Sequence, residues 1–290
     1  MFQDDGQMHV VYRGQDNTGT SFMGLATFAV EDARFISREP DPIYSPREFF
    51  EEKANPIGNS GCEDPRLTLI DDKIYMLYTA YRGDSPPRVA LTFISLLDFR
   101  AKNWSSWSSP ILISPPGIAD KDAYFFPEKI KGKYVTIHRI EPDIVFDYRP
   151  ELDFDGVSRW LESQDAIPPR LNSWEGIKIG ANAPPIKTPD GWILLYHGVG
   201  TNDHHYRLGA LLLDLQEPSR ILGRTLDPIL EPEESYECFG QVRNVVFPCG
   251  VGEWKDNLYI FYGGADSCTC LATVSLSKLI KQLKFCGNVR

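Results

Sequence analysis

The sequence predicts an all-β chain built as a five-bladed propeller with a short C-terminal helix. Three observations predict it: one strand motif recurs five times, further short strands accompany each copy, and helical periodicity is confined to one stretch. The motif is a Gly, Asp or Asn turn followed by an apolar strand ending in Tyr or His. Its copies are HVVYRG (9–14), DKIYMLYTAY (72–81), GKYVTIHR (132–139), GWILLYHGV (191–199) and NLYIFYGGA (257–265). Taking Tyr12, Tyr78, His138, Tyr196 and Tyr262 as equivalent, the separations are 66, 60, 58 and 66 residues. A repeat of about 60 residues carrying three or four strands describes a blade, and the length accommodates five of them in one domain, 1–290.

Within each unit the elements follow an order. An inner segment with its own Pro precedes four of the motif strands: GCEDPRLTLI, DKDAYFFPEKI, GANAPPIKT and GQVRNVVFPCG. A strand rich in small residues follows several of them, as in SFMGLATF, RVALTFIS, YRLGALLLDL and CLATVSL. A closing strand then ends at proline, as in DPIYSP, SPILISP and DPILEP. The first unit departs from this order, because only eight residues precede HVVYRG and its inner strand is expected to be missing. Either the chain is shortened there or another segment or subunit supplies the strand, since an unpaired inner edge is otherwise exposed. The helix is expected in SLSKLIKQLKF, where Leu276, Leu279, Ile280 and Leu283 keep helical spacing behind Ser capping residues. No Gly/Ser or Pro-rich linker interrupts the series.

Composition narrows the function. Lys+Arg of 30 against Asp+Glu of 40 gives a net charge of −10, which argues against nucleic acid as a partner. No apolar run reaches the roughly 18 residues of a membrane helix, and the acidic start MFQDDGQMHV lacks a signal-peptide core, so a soluble cytoplasmic protein with no membrane partner is expected. Six cysteines (Cys62, Cys238, Cys249, Cys268, Cys270, Cys286) show no CxxC pair, and reduced thiols are expected over a disulfide or metal site. The high aromatic share of 12% finds a use in filling the space between packed sheets.

The inner segments are where chemistry concentrates. They carry Glu63, Asp64 and Arg66, then Lys121 and Asp122, Lys178 and Asn182, and finally Gln241, Arg243 and Asn244. Burying such groups near an apolar channel costs several kcal/mol (about 2–7 for a neutral polar group) unless they pair or meet a ligand. In GCEDPR a carboxylate pair beside Arg is suited to a general acid, with Arg66 holding the neighbouring charge; the competing reading is a structural Asp64–Arg66 ion pair. Lys121, Arg139, Lys178 and His197 collect at corresponding places, and Arg13 falls one residue past the motif Tyr as Arg139 and His197 do past theirs. As a set they point to an anion site, with phosphate the commonest small candidate; singly, each is equally a snorkelling or core residue. His204 and His205 belong either to a substrate entrance or to a solvated loop.

GCEDPRLTLIDDKIYMLYTAY, KDAYFFPEKIKGKYVTIHR, KIGANAPPIKTPDGWILLYHGV, YECFGQVRNVVFPCG and LYIFYGGAD, in order and at fitting distances, resemble glycoside hydrolase family 130 from about residue 9 to 276. That family holds inverting β-mannoside phosphorylases and some β-mannosidases on five-bladed propellers. The resemblance implies that Asp64 is the catalytic acid, protonating the glycosidic oxygen through the sugar's 3-hydroxyl. It implies a phosphate site of Arg139, Lys178 and His197, with Lys121 and Asp122 standing where some members have Arg and Asn. Asp266 matches a carboxylate that holds the mannosyl unit, and Glu63, Arg13, Arg66, Asp122, Tyr206 and Asn244 look like further substrate contacts. A phosphorylase needs one acid and a cationic cradle, whereas an inverting hydrolase also needs a carboxylate base, for which Asp122 is the candidate.

The expected function is therefore phosphorolysis of a β-mannoside by inorganic phosphate to α-mannose 1-phosphate, with no metal or organic cofactor and a homo-oligomer among the expected states. The rivals are a β-mannosidase of the same fold and a glycan-binding propeller without catalysis.

Overall fold

A computed structural model describes residues 1–287. The first sheet contains β1 (Phe2–Asp4), β2 (Gln7–Gln15), β3 (Thr20–Ala29), β4 (Phe35–Arg38), β5 (Ser60–Ile70), β6 (Lys73–Tyr81), β7 (Arg88–Ser95) and β8 (Ile111–Leu112). The second runs through β9 (Lys121–Phe125), β10 (Tyr134–Ile140), β11 (Asp143–Arg149) and β12 (Asp165–Ile167). The third holds β13 (Lys178–Ala181), β14 (Ile186–Thr188), β15 (Gly191–Val199), β16 (Tyr206–Leu213) and β17 (Ile221–Arg224). The fourth has β18 (Val246–Trp254), β19 (Asn257–Gly264) and β20 (Cys268–Ser275).

Every motif strand lies inside one sheet, as β2, β6, β10, β15 and β19, each paired antiparallel with the strand before it. The first sheet spans two repeat units because β3 and β5 pair in parallel, Thr20 with Ser60 and Ser21 with Gly61. That junction requires glycine: Gly61 sits at φ +102°, and a Cβ there would stand 2.4 Å from the Ser21 carbonyl oxygen.

Three expectations need correction. The inner strand of the first unit is present, as the three-residue β1, which pairs Phe2 with His9 and Asp4 with Gln7. The closing strands of the first and fourth units fall earlier, at β4 and β17; DPIYSP and DPILEP add only the single bridges Met23–Tyr44 and Leu208–Leu230, because proline cannot donate to a ladder. The segment GANAPPIKT is two strands, since Pro184 and Pro185 separate β13 from β14 along the same β15 edge.

Helix is scarce, as composition and periodicity imply. α1 (Leu96–Arg100) and α2 (Ser235–Cys238) are short turns, and α3 (Leu276–Cys286) is the expected terminal helix, capped by Ser275 Oγ accepting from Lys278 N. Its apolar face buries Leu279 and Leu283 among Leu195, Leu212 and Ile260.

Five apolar cores lie between successive repeat units. Met23, Leu25, Tyr78 and Ala80 join the first to the second; Leu77, Leu91 and Phe125 the second to the third; Ile137, Phe146, Trp192 and Leu194 the third to the fourth. Leu195, Leu212 and Ile260 join the fourth to the fifth, and Met8, Val10, Tyr259 and Phe261 join the fifth to the first. Each fully buried Leu, Ile or Phe contributes about 1.5–3 kcal/mol, so these seams dominate the stability.

The repeated Tyr/His has a polar purpose as well. Tyr78 Oη donates to buried Glu51, His138 Nδ1 to Asp120 at 2.9 Å, Tyr196 Oη to Glu175, and Tyr262 Oη to Glu237 at 2.6 Å. Burial and the adjacent carboxylate push all three phenols up, which keeps them protonated as donors. The three glutamates then receive backbone or arginine donors as well: Glu51 from the N–H groups of Arg47 and Glu48, Glu237 from those of Glu233 and Glu234, and Glu175 from Arg170 Nε. These bonds anchor the loop ahead of four inner strands, and so set where the inner strands begin.

Candidate active site

The inner strands deliver the site through a shared backbone kink. Asp64, Asp122 and Asn244 all have φ between +50° and +57°, and Asp266 joins them at +52°. Asp and Asn tolerate this left-handed region best among residues with a Cβ, which explains the residue type at each kink. In β5 the kink coincides with a bulge: pairing to β6 shifts between Glu63 and Arg66. The bulge presents Asp64 and Arg66 off the regular alternation.

Asp64 is only loosely restrained. Its carboxylate accepts no hydrogen bond from the described residues, and Arg13 Nη1 stands 3.6 Å away. Glu63 beside it is bound by Arg13 Nη2 at 2.9 Å and faces Lys121 Nζ at 3.9 Å. Burial raises the Glu63 carboxyl, and the Asp64 charge adds to this against the pull of Arg13 and Lys121. Asp266 is likewise raised, first by burial and then by Asp64. Asp64 and Asp266 line a cavity of about 650 Å³ together with Tyr12, Arg13, Gln241 and Phe247. A loosely held carboxyl and a second one raised by burial, both beside an open cavity, suit proton donation and hydroxyl binding.

A second cluster adjoins this cavity through Arg66. The Arg66 guanidinium is almost completely buried: Nη2 donates to Asp122 Oδ1 at 2.8 Å, Nε to the Asn182 carbonyl at 3.0 Å, and Nη1 to the Asp64 carbonyl at 2.8 Å. Arg139 Nη1 lies 2.8 Å from Asp122 Oδ2. Asp122 is thus clamped by two arginines. Burial alone raises its carboxyl, but Arg139 and Arg66 outweigh this and hold it well below the usual carboxylate range. The structural Asp64–Arg66 ion pair is not what forms; Arg66 pairs with Asp122 and touches Asp64 only through its carbonyl.

His197 closes this cluster. Its Nδ1 donates to Asn182 Oδ1 at 2.7 Å, and its Nε2 accepts from Arg139 Nη1 at 3.1 Å. Burial, followed by the opposed effects of Asp122 and the nearby arginines, pushes its pKa down to about 3, so the ring is neutral and acts as an acceptor that aims Arg139. Tyr206 stacks on His197 at 5.8 Å between centroids, and Phe247 lies at 4.6 Å. Gly180 permits this packing, because a Cβ there would fall 2.4 Å from the His197 ring and 2.6 Å from Asp122 Oδ2. Two buried donors, Arg139 Nε and Asn182 Nδ2, have no acceptor among the described residues. Unmet buried donors beside arginine are chemically suited to an anion, although Asp122 Oδ2 is also unmet there and Arg224 Nη2 is unmet in a sheet seam.

Lys178 flanks this cluster, with Nζ 2.7 Å from Glu141 Oε1 and 5.9 Å from the Tyr206 ring centre. Arg139 Nη2 is 3.6 Å from the same Glu141 oxygen. The structure therefore brings Arg13, Glu63, Asp64, Arg66, Lys121, Asp122, Arg139, Lys178, His197, Tyr206 and Asp266 together. Asn244 joins only through its carbonyl, which accepts from Tyr206 N at 3.0 Å. His205 lies apart in an ion-paired loop with Asp203 and Arg207. Sequence reasoning missed Glu141 and Phe247. Glu141 gives no signal beyond its place two residues after Arg139; Phe247, in VVFP, reads as ordinary strand core.

No group of three or more His, Cys, Asp or Glu among the described residues could hold a metal ion. No described helix is long and apolar enough to cross a membrane.

Comparison with known proteins gives the family. The glycoside hydrolase family 130 model, described as beta-1,4-mannooligosaccharide phosphorylase, matches residues 5–285. A 1,2-beta-oligomannan phosphorylase of Thermoanaerobacter sp. (strain X514) is 36% identical over 290 residues, covering 97% of this chain and 89% of the relative. A beta-1,2-mannobiose phosphorylase of the same organism is 42% identical over 227 residues, covering 76% and 68%. The solved beta-1,2-mannobiose phosphorylase from Listeria innocua, in complex with beta-1,2-mannobiose, superposes with a TM-score of 0.73 at 29% identity, over 91% of this chain and 70% of that one.

Proposed function

The chain belongs to glycoside hydrolase family 130, and from that premise we propose that it phosphorolyses β-mannosides with inversion, releasing α-mannose 1-phosphate. One observation carries the choice over hydrolysis: Asp122, the candidate base for water, is clamped by Arg66 and Arg139 at 2.8 Å each and buried. A carboxylate so stabilised as an anion is a poor base. Phosphate needs no such base.

In the proposed reaction the mannosyl unit occupies the cavity against Asp266, Arg13 and Phe247. Phosphate sits on Arg139 and Lys178, with His197 aiming Arg139 and Lys121 adding positive charge near Glu63. A phosphate oxygen attacks the anomeric carbon as the bond to the glycosidic oxygen breaks. The Asp64 proton passes to that oxygen through the sugar's 3-hydroxyl, leaving the shortened mannoside as an alcohol. The unmet donors Arg139 Nε and Asn182 Nδ2 favour a bound anion in this cluster.

The architecture proposed to hold these groups is a single five-bladed propeller. Its support is the series of five cores, the last of which returns from the fifth unit to the first. The β3–β5 pairing then bridges two blades near the cavity. For the linkage we infer β-1,2, supported by the two Thermoanaerobacter relatives and the Listeria structure.

The test is incubation with β-1,2-mannobiose with and without inorganic phosphate. α-Mannose 1-phosphate formed only when phosphate is present is the expected result. Mannose released at a rate indifferent to phosphate would overturn the proposal in favour of a hydrolase, and β-1,4-mannobiose serves as the linkage control.

A further inference from the structure

We propose that Glu141 is a built-in competitor for the phosphate cradle, a carboxylate that occupies the anion position on Lys178 and Arg139 and must swing out before phosphate binds. This rests on the phosphorylase reading for its biological meaning but is tested independently of turnover. A single oxygen, Glu141 Oε1, faces both cations, 2.7 Å from Lys178 Nζ and 3.6 Å from Arg139 Nη2. An oxygen shared between a lysine and an arginine is the arrangement a phosphate oxygen would adopt there.

The two carboxylates of the cradle differ in their freedom to leave. Asp122 has a side chain only 1% exposed and is held by two arginines, so it is part of the wall. The Glu141 side chain is 53% exposed, at the turn that follows β10, and no hydrogen bond other than that from Lys178 is found for its carboxylate among the described residues. Rotation about its side-chain bonds releases it into water without disturbing the ladder between β10 and β11.

The charges explain what such a competitor achieves. Arg13, Arg66, Lys121, Arg139 and Lys178 give +5, while Glu63, Asp64, Asp122, Glu141 and Asp266 give −5 when all are ionised. With every acid ionised the cluster is balanced, and each added proton makes it more positive by one. A phosphate dianion that arrived with Glu141 still in place would leave it with excess negative charge, whereas displacement of Glu141 recovers one charge and both cations. A competitor occupying the site most of the time reduces apparent phosphate affinity by the fraction of cradle left open. If the cradle is open about a tenth of the time, removal of the carboxylate tightens phosphate about tenfold.

The experiment is calorimetric titration of inorganic phosphate into the wild-type protein, Glu141→Gln and Glu128→Gln. The last variant removes the same charge from the exposed Lys187–Glu128 pair, away from the cradle. The expected result is a Kd for phosphate about tenfold lower in Glu141→Gln, with Glu128→Gln matching wild type. An unchanged or weaker Kd in Glu141→Gln would overturn the proposal and make Glu141 a prop for Lys178, and equal tightening in both variants would overturn it in favour of a net-charge effect. Failure of the function reading looks different: phosphate binds, but mannobiose turnover ignores it. Mannose release without phosphate that vanishes in Glu141→Gln would also count against the proposal, since it would make Glu141 a base for water.

Discussion

The buried acids of the sheet seams and the acids of the cavity are made of the same side chains and serve opposite ends. Glu51, Glu175 and Glu237 are each bonded to the repeated Tyr and to further backbone or arginine donors, and Asp120 is bonded through both oxygens to His138, so these acids are satisfied within the fold. Glu63, Asp64 and Asp266 crowd one another beside open space, and Asp64 accepts nothing from the described residues. Burial of an acid therefore does not distinguish function in this protein. What distinguishes it is an acid left incompletely satisfied next to a cavity, a local cost that the well-satisfied seams offset.

The sharpest way to test this contrast is to remove each kind of acid. Asp64→Asn should lower kcat/KM for phosphorolysis by about 10²–10⁴, the typical contribution of a general acid, with the thermal midpoint little altered. Glu175→Ala should do the reverse. It leaves Arg224, which lies 2.8 Å from Glu175, as a buried charge without its carboxylate, and should cost about 3–5 kcal/mol in urea denaturation while turnover per folded molecule stays within a few-fold of wild type. Loss of turnover in Glu175→Ala without loss of stability would erase the distinction.

Smaller effects refine it. Glu237→Ala orphans the Tyr262 hydroxyl and two backbone N–H groups at the start of α2, for an expected cost of about 1–3 kcal/mol, readable in the same denaturation. Asp266 gives the smallest change and the opposite sign. Its carboxyl is raised in the folded protein, so folding binds that proton more tightly, and stability is lost as pH rises from the unfolded value near ~3.9 through the folded one. Asp266→Asn should therefore raise the thermal midpoint slightly at pH 7 and leave it unchanged at pH 3, while abolishing mannoside binding. His197 titrates with the other sense: its folded pKa of about 3 means that stability is present above about 6.5 and is lost as pH falls toward 3.

Much of the scaffold could be read without coordinates. The five motif strands, the inner segments of the second to fifth units and the terminal helix follow from alternation, turn residues and capping, which are local properties. The closing strands at β4 and β17 were misplaced because short edge strands carry little pattern, and proline-flanked apolar residues mimic them. The site residues are legible because polar residues stand out in the apolar, Pro-bearing inner segments and because the family motifs mark Asp64, Arg139, Lys178, His197 and Asp266.

The sequence by itself determined the number of repeat units, their strand order and the residue types available for chemistry, because periodicity and side-chain character belong to the chain. Net charge did not predict the site: a protein of −10 overall gathers five cations around its acids. Only the tertiary structure decided partners. It gave Arg66 to Asp122 rather than to Asp64, made His197 a neutral acceptor for Arg139, and set Glu141 against Lys178 and Arg139. Those assignments depend on distances between residues 56 to 58 positions apart for the arginine and histidine contacts, and no local pattern encodes them.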